Sequence, residues 1–170
     1  MTYRKHAGSQ AHSSPWAEPG KAGEHLALED FPSFLLVRLA NVMQRDVTGS
    51  YLSEFELNPS QWRVLAALTT YSPIPFGELV KLSMSDKALV SRSVQAIAER
   101  GFAKVESDPN HGKKLVCSIT AKGRALYKRV LPRAQAAQVE ILELLDKEER
   151  VALHAALVKL RSALDSKMMA

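Results

Sequence analysis

Residues 83–126 have the sequence SMSDKALVSRSVQAIAERGFAKVESDPNHGKKLVCSITAKGRAL, and this stretch decides the fold. Its first part has apolar residues at helical spacing as far as Arg100, and Gly101 is placed to end that helix. After Gly101 the period changes to alternation, in two short runs that predict strands. Turn-forming residues at 108–112 separate the two runs, so they predict a hairpin whose loop is longer than two residues.

Three helices are predicted before this stretch. The segment 58–60, Asn-Pro-Ser, starts one of them, because asparagine caps a helix and proline fits its first turn. Its inward residues are Trp62, Leu65, Ala66 and Leu68. A short helix then begins near Phe76, with Leu79 and Val80 also inward, and an earlier helix is expected from about Asp30 to Ser53.

Two long helices are predicted after it. Thr120 caps a helix that should reach about Leu145, and Pro132 is expected to kink it. Asp146 followed by Glu149 indicates a capping box for the last helix. The predicted fold class is therefore mainly α with a small antiparallel β-hairpin, arranged as a winged helix-turn-helix with long helices beside it.

Composition and charge narrow the class of protein. The 170 residues, 46% apolar and 24% charged, are typical of one globular domain or of a domain with an appended part. Charge is uneven, since Lys81–Arg133 contains 12 Lys/Arg against 4 Asp/Glu, whereas the remaining chain contains 11 against 14. This basic block indicates a polyanion-binding surface, although a merely solvated charged face is the alternative.

Several other classes are not expected. No apolar run is long enough to span a membrane, and the first residues lack the apolar core of a secretory signal. The single cysteine, Cys117, excludes an intrachain disulfide and fits a reducing compartment. We find no nucleophile–base pair, Gly-rich phosphate loop or metal-ligand spacing, so we expect a cytoplasmic protein that is not an enzyme and needs no cofactor or metal.

The helix of about Asp86 to Arg100 has two distinct sides on a helical wheel. Its inward side is Val90, Val94, Ile97 and Ala98. The predicted DNA-facing residues are Ser85, Lys87, Ala88, Leu89, Ser91, Arg92 and Gln95, followed by Glu99 on the same side. Such a helix suits the major groove, although an amphipathic helix with a solvated face is the alternative.

Each of these side chains suggests a role. Arg92 can bind guanine through two hydrogen bonds, and Ala88 and Leu89 could contact thymine methyl groups. The hydroxyl and ammonium groups of Ser85, Lys87 and Ser91 suit phosphates. The hairpin carries Lys104, Lys113 and Lys114, the last two near its tip beside His111, and phosphate contact is favoured over simple solubility there.

Three segments resemble the MarR family of bacterial transcriptional regulators. Residues 58–68, NPSQWRVLAAL, are similar to the family's second helix, and residues 83–102 to its recognition helix, with V-S-R and the closing E-R-G. Residues 106–126 resemble its wing and the T-x-K-G-R-A-L start of its fifth helix.

The family wing commonly contains D-P-x-D-x-R, and here His111 and Lys113 replace its second Asp and its Arg. Because lysine lacks the planar fork of arginine, we expect more phosphate contact and less base selectivity from this wing.

The resemblance implies a symmetric homodimer built from the first, fifth and sixth predicted helices. Leu153, Leu157, Leu160 and Leu164 form a seam of coiled-coil type in the last helix. This seam could instead pack against the chain's own fifth helix. The domain prediction is a flexible tail at 1–29, a first dimerisation helix at 30–57, a DNA-binding lobe at 58–119 and C-terminal dimerisation helices at 120–166. A two-fold dimer would bind double-stranded DNA at an inverted-repeat operator.

The resemblance also implies a repressor that releases DNA when a small aromatic or phenolic effector enters a cleft beside the dimerisation helices. The candidate lining is Leu35, Arg38, Leu39, Trp62 and Arg63. Either arginine could pair with a carboxylate and Trp62 could stack on a ring, whereas a core tryptophan and surface arginines are the alternative. A different class remains open, namely a winged-helix adaptor that binds proteins without sequence-specific DNA binding.

Overall fold

The structure, a computed structural model, describes residues 14–83, 85–108 and 111–168. Most of the predicted tail, residues 1–13, lies outside the described residues. The described chain forms two compact units that divide between Gln44 and Arg45. The predicted boundary at residues 57 and 58 falls inside the second of them, so the division of labour between lobe and dimerisation helices stays a prediction.

The first unit holds the end of the predicted tail and the first helix. Residues 14–27 form turns and bends, and a 3-10 turn follows at Leu28–Asp30. Trp16 Nε1 donates a hydrogen bond to the carbonyl oxygen of Asp30, which ties the segment to the helix that follows it. Helix α1 spans Pro32–Val42 and has no buried residue.

The predicted helix from Asp30 to Ser53 is interrupted in the structure. Beyond α1 a π-helical segment covers Met43–Thr48, and α2 spans Gly49–Ser53. Helical spacing of apolar residues does not distinguish one helical hydrogen-bond pattern from another over six residues, so the sequence did not reveal this change.

The second unit contains the predicted helix-turn-helix and hairpin. The elements of this part of the unit are α3 (Pro59–Tyr71), β1 (Ile74–Pro75), α4 (Phe76–Leu82), α5 (Lys87–Glu99), β2 (Ala103–Asp108) and β3 (His111–Ile119). The predicted start of α3 is confirmed, because the Asn58 side chain accepts from the Gln61 N–H at 2.9 Å and the Gln61 side chain accepts from the Asn58 N–H at 3.0 Å. This reciprocal pair satisfies two N–H groups that a helix start leaves unpaired.

The sheet has one strand more than the predicted hairpin. The three strands are antiparallel in the order β1-β3-β2, and Ile74 and Val105 both pair with Cys117. The residues of β1 lie between two predicted helices, and the sequence predicts no strand there. A two-residue strand is too short to show alternation. Because Pro75 lacks an N–H group, β1 can pair only as an edge strand.

Fully buried residues connect the helices of the lobe to the sheet and to the long helix behind it. The largest of them are Leu52, Val64, Leu65, Leu68, Leu79, Val90, Ile97, Cys117 and Val130. Trp62 and Ala66, predicted inward, are half-buried. Val105 and Leu115 share the strand face of Cys117 yet are 38% and 45% exposed, because the hairpin extends beyond the helices that cover its base.

Helix α6 (Ala121–Leu142) begins against the base of the hairpin. The Thr120 hydroxyl accepts from the Gly123 N–H at 3.0 Å and donates to the carbonyl oxygen of Gly101 at 2.8 Å. A Cβ at Gly123 would lie 2.1 Å from the carbonyl oxygen of Phe102, so only glycine allows this approach. The T-x-K-G segment is therefore a packing device that joins α6 to the chain leaving α5.

Helix α7 (Lys147–Met168) completes the fold. The predicted capping box is confirmed, since the Asp146 side chain accepts from the Glu149 N–H at 2.8 Å and the Glu149 side chain accepts from the Asp146 N–H at 2.9 Å. Helix α6 continues through Pro132, whose kink stays a prediction, and ends at Leu142, three residues before the expected Leu145.

Replacing Gly123 with alanine should destabilise the fold. The added Cβ must push the Phe102 carbonyl away, and overpacking of this kind costs about 1–3 kcal/mol of unfolding free energy. Gly77→Ala is the matched control, because a Cβ there meets nothing within 4 Å and alanine favours the helix. Urea unfolding at one fixed protein concentration measures both variants. Equal unfolding free energies for the two would contradict this account of the T-x-K-G segment.

Candidate nucleic-acid interface

Packing against the hydrophobic core fixes the orientation of helix α5. Val90, Val94 and Ile97, the predicted inward residues, are 0%, 3% and 0% exposed. A buried polar contact lies among them, where the Ser93 hydroxyl donates to Ser60 Oγ of α3 at 2.8 Å. Buried polar groups that lose their partner are costly, so this pair resists rotation of α5 about its axis.

The turn before α5 is also ordered by hydrogen bonds. The Ser83 hydroxyl, which is buried, donates to the carbonyl oxygen of Leu79 at 2.7 Å. Asp86 caps α5, with Oδ1 accepting from the Leu89 N–H at 2.8 Å. These bonds order the end of α4 and the start of α5, and Met84 between them lies outside the described residues.

The side of α5 opposite the valines faces outward. The exposed residues are Lys87, Ala88, Ser91, Arg92, Gln95 and Glu99, whereas Ser85 and Leu89 are half-buried at the margin. This is the distribution that the helical wheel predicts. Contact of these side chains with DNA stays a prediction, but each is placed at the surface where such contact is possible.

A cleft between α4, α5 and β3 gathers three of the cations. Its volume is about 860 Å³, and Lys81, Lys87 and Lys114 line it together with Ser91 and one acid, Glu78. Lys87, Ser91 and Lys114 are predicted DNA contacts, whereas the sequence marks Lys81 only as the start of the basic block. Only the crossing of α4 with β3 brings Lys81 to the others, and no local pattern marks it.

The hairpin tip is described in part. Pro109 and Asn110 lie outside the described residues, and of His111 and Lys113 only the backbone is described. Lys104 and Lys114 are exposed. The predicted phosphate contact of Lys113 and the reduced base selectivity of the wing therefore stay predictions.

The predicted effector residues fall into two groups. Leu35, Arg38 and Leu39 are exposed on α1, in the first compact unit. In the second unit Trp62 stacks on Tyr127 of α6, with ring centroids 5.2 Å apart and planes at 18°. Arg63 donates through Nη2 to Ser85 Oγ at 3.4 Å, so its guanidinium reaches the turn before α5.

A second cluster of cations is engaged within the protein. Arg100 donates to the carbonyl oxygens of Glu56 and Phe55 at 2.6 and 3.2 Å, and its guanidinium lies 4.9 Å from the centroid of the Phe102 ring. Lys122 donates to the carbonyl oxygen of Arg100 at 2.8 Å. These bonds fix the end of α5 to the loop before α3 and to α6.

The described residues give little support for a reactive cysteine, a metal site or a membrane-spanning helix. Cys117 is fully buried, and burial raises the pKa of its thiol, which disfavours the reactive thiolate. Among residues 14–83, 85–108 and 111–168 no group of three or more His, Cys, Asp or Glu side chains could hold a metal ion. No helix in the described part of the chain has the length and apolar character needed to cross a membrane.

The predicted dimerisation leucines lie on an exposed helix. Leu153, Leu157, Leu160 and Leu164 are 44%, 40%, 48% and 59% exposed, and every described side chain of α7 is exposed. On α1 the apolar residues are exposed as well, among them Leu36 and Val37 at 42% and 61%. Two helices therefore present apolar surface that the single chain does not cover.

Comparison with known proteins finds relatives that are transcriptional regulators. The model described as "MarR family" matches residues 55–114. The transcriptional repressor NicR of Pseudomonas putida is 29% identical over 111 residues, which are 65% of this chain and 68% of NicR. Relatives from Bacillus, also described as HTH-type transcriptional regulators, are 26% identical over 133 residues, 78% of this chain and 88% of theirs.

Solved structures agree with the fold. BpsR of Bordetella bronchiseptica, solved in a study of how 6-hydroxynicotinic acid regulates its DNA binding, matches with a TM-score of 0.71 and 24% identity, over 80% of this chain and 96% of BpsR. A MarR variant of E. coli, complexed with operator DNA, matches with a TM-score of 0.70 and 21% identity, over 79% of this chain and 99% of MarR.

The matched segment 55–114 runs from the loop before α3 to the wing, and it contains both the buried side of α5 and the lysine cleft. The order of helices, the three-stranded sheet and the sequence relatives all agree with this match. Over residues 55–114 the chain matches the MarR family, and its fold is that of the winged helix-turn-helix regulators of this family.

Proposed function

We propose that this regulator binds double-stranded DNA sequence-specifically, as a homodimer on an inverted-repeat operator, and acts as a repressor in the cytoplasm. The observation that carries the proposal is the two-sided structure of α5, with Val90 and Ile97 fully buried and Arg92 exposed opposite them. A neighbouring cleft with three lysines supplies the cations that phosphates need. The name of NicR and the MarR complex with operator DNA support the same function.

The proposed contacts divide into two kinds. Arg92 binds a guanine edge, Gln95 can bind an adenine edge, and Ala88 and Leu89 meet thymine methyl groups. Phosphates are bound by residues around this helix and on the wing, which are Ser85, Lys87, Ser91, Lys113 and Lys114, joined by Lys81 of the cleft. Phosphate contacts position the protein, whereas base contacts select the sequence.

The homodimer is supported by the exposed apolar surface of α1 and α7. A single soluble chain seldom exposes two helices with continuous apolar stripes. A second copy that covers the leucines of α7 removes this surface from water, and its two-fold symmetry gives two α5 helices for two half-sites. Half-sites about one helical turn apart then follow from the geometry.

A small aromatic or phenolic acid is the proposed effector. BpsR, which shares the fold, is regulated by 6-hydroxynicotinic acid, and this supports an aromatic carboxylate as the class of ligand. The proposed lining is Leu35, Leu39 and Trp62, with Arg38 or Arg63 as the partner of the carboxylate. Release of DNA requires that the effector prefer a spacing of the two α5 helices that does not fit the operator.

The alternative function, a protein-interaction adaptor, differs in its response to salt. Each phosphate contact contributes about −0.9 to the slope of log Kobs against log salt concentration on duplex DNA. A slope near zero would support the adaptor. The lysine cleft and the exposed Arg92 favour the DNA-binding regulator.

Arg92→Ala and Lys114→Ala should weaken DNA binding in different ways. Loss of Arg92 should cost about 1–3 kcal/mol on the cognate site and relax the preference at one base position. Loss of Lys114 should weaken cognate and random duplexes by similar factors. Fluorescence anisotropy on both duplexes measures this difference, and identical behaviour of the two variants would refute the assigned roles.

Leu157→Asp should break the dimer, because it places a carboxylate in the apolar seam of α7. Sedimentation at micromolar concentration should then show a monomer, and operator affinity should fall because two half-sites no longer act together. Ala155→Asp, on the opposite side of the same helix, is the control and should stay dimeric. A dimeric Leu157→Asp protein would contradict the α7 interface.

An effector of the proposed class should stabilise the protein and release DNA. In a thermal-shift screen of hydroxylated aromatic acids, a ligand at about 100 times its Kd adds roughly 2.7 kcal/mol to the unfolding free energy. 6-Hydroxynicotinic acid is the first probe, and a saturated ring carboxylate is the control. Arg38→Ala should reduce the shift. A ligand that stabilises the protein without lowering operator affinity would contradict the release mechanism.

A further inference from the structure

The side chain of Arg63 lies close to the N-terminal end of α5, although Arg63 belongs to α3. One turn before it on α3, Ser60 contacts Ser93 in the middle of α5. From the same side of α3, Arg63 extends to Ser85, with Nη2 and Oγ 3.4 Å apart. Ser85 lies two residues before Lys87, the first residue of α5, so the Arg63 side chain points toward the N-terminal end of α5.

Among the described residues, the Arg63 guanidinium contacts a neutral hydroxyl and no acid, and most of its N–H donors remain available for a ligand. Ser85 is a neutral acceptor, and its own hydroxyl donates to the carbonyl oxygen of Ser83 at 3.1 Å. Within the described part of the chain, the ion pairs found do not include Arg63. The nearby acid Asp86 is engaged in capping α5 through the Leu89 N–H. The residue itself is exposed, and a guanidinium has five N–H donors.

The N-terminal residues of a recognition helix are those that enter the major groove. The walls of that groove are the two phosphate backbones, so a cation beside this end meets phosphate oxygens before it meets bases. Arginine binds phosphate through two parallel hydrogen bonds, which a serine hydroxyl can help to align by holding one N–H. The tether to Ser85 thus places the guanidinium beside the groove wall.

We propose that Arg63 is a phosphate-binding residue of the DNA interface, held at the entering end of α5 by its contact with Ser85. This inference rests on the proposed function and deepens it, since it adds a contact from α3 to those of α5 and the wing. It also moves Arg63 out of the effector cleft and leaves Arg38 as the arginine for the effector carboxylate. The two roles for Arg63 predict different measurements.

The test measures operator and random-duplex affinity across a range of salt concentrations for Arg63→Ala and Arg63→Gln. Both variants should bind both duplexes about tenfold more weakly, because a charge-assisted contact is lost in each protomer. The slope of log Kobs against log salt should become shallower by about 0.9 per protomer. Lys128→Ala, an exposed cation on α6 outside the interface, should match the wild type.

The outcomes separate the inference from the function on which it rests. If the wild-type protein binds DNA steeply with salt and both Arg63 variants keep its affinity and slope, the inference is wrong and the function stands. If those variants keep DNA binding but lose release by an aromatic acid, Arg63 belongs to the effector cleft. A wild-type slope near zero would refute the function itself. Arg63→Gln keeps the aliphatic stem, so a fold defect confined to Arg63→Ala does not obscure the result.

Discussion

The buried side of α5 is the constraint on which the rest of the structure depends. Val90, Val94 and Ile97 pack into the core, and the hydrogen bond between Ser93 and Ser60 fixes the rotation of the helix within it. Turning α5 by about one residue, or 100°, would expose apolar groups and leave buried hydroxyls without partners, at a cost of several kcal/mol. The outward position of Arg92 is therefore a consequence of core packing.

Both ends of α5 are tied to other elements of the lobe. At its C-terminal end, Arg100 binds the loop before α3, and Gly123 lets α6 approach the backbone of Phe102. At its N-terminal end, the Asp86 cap and the contact between Arg63 and Ser85 order the turn that leads into α5. Contacts thus run from α6 to the C-terminal end of α5, and the proposed release of DNA by an effector would act through them.

Much of this arrangement is predictable from sequence, because it depends on local patterns. Caps at Asn58 and Asp146, the period of α5 and the change of period after Gly101 all correspond to the observed elements. The two-residue strand β1 and the π-helical segment carry no pattern of their own. The position of Lys81 in the cleft depends on how α4 crosses β3, and that of Arg63 at the turn depends on how α3 packs against α5. Neither arrangement is predictable from a local sequence pattern.

The proposed function requires that this chain select DNA sequence through a symmetric pair of α5 helices. Selection of duplexes from a random pool by the wild-type protein tests the claim most directly. We predict enrichment of inverted repeats whose half-sites are centred about one helical turn, or about 10 base pairs, apart. A pool that remains random after repeated selection, or one enriched in a single unrepeated motif, would contradict it.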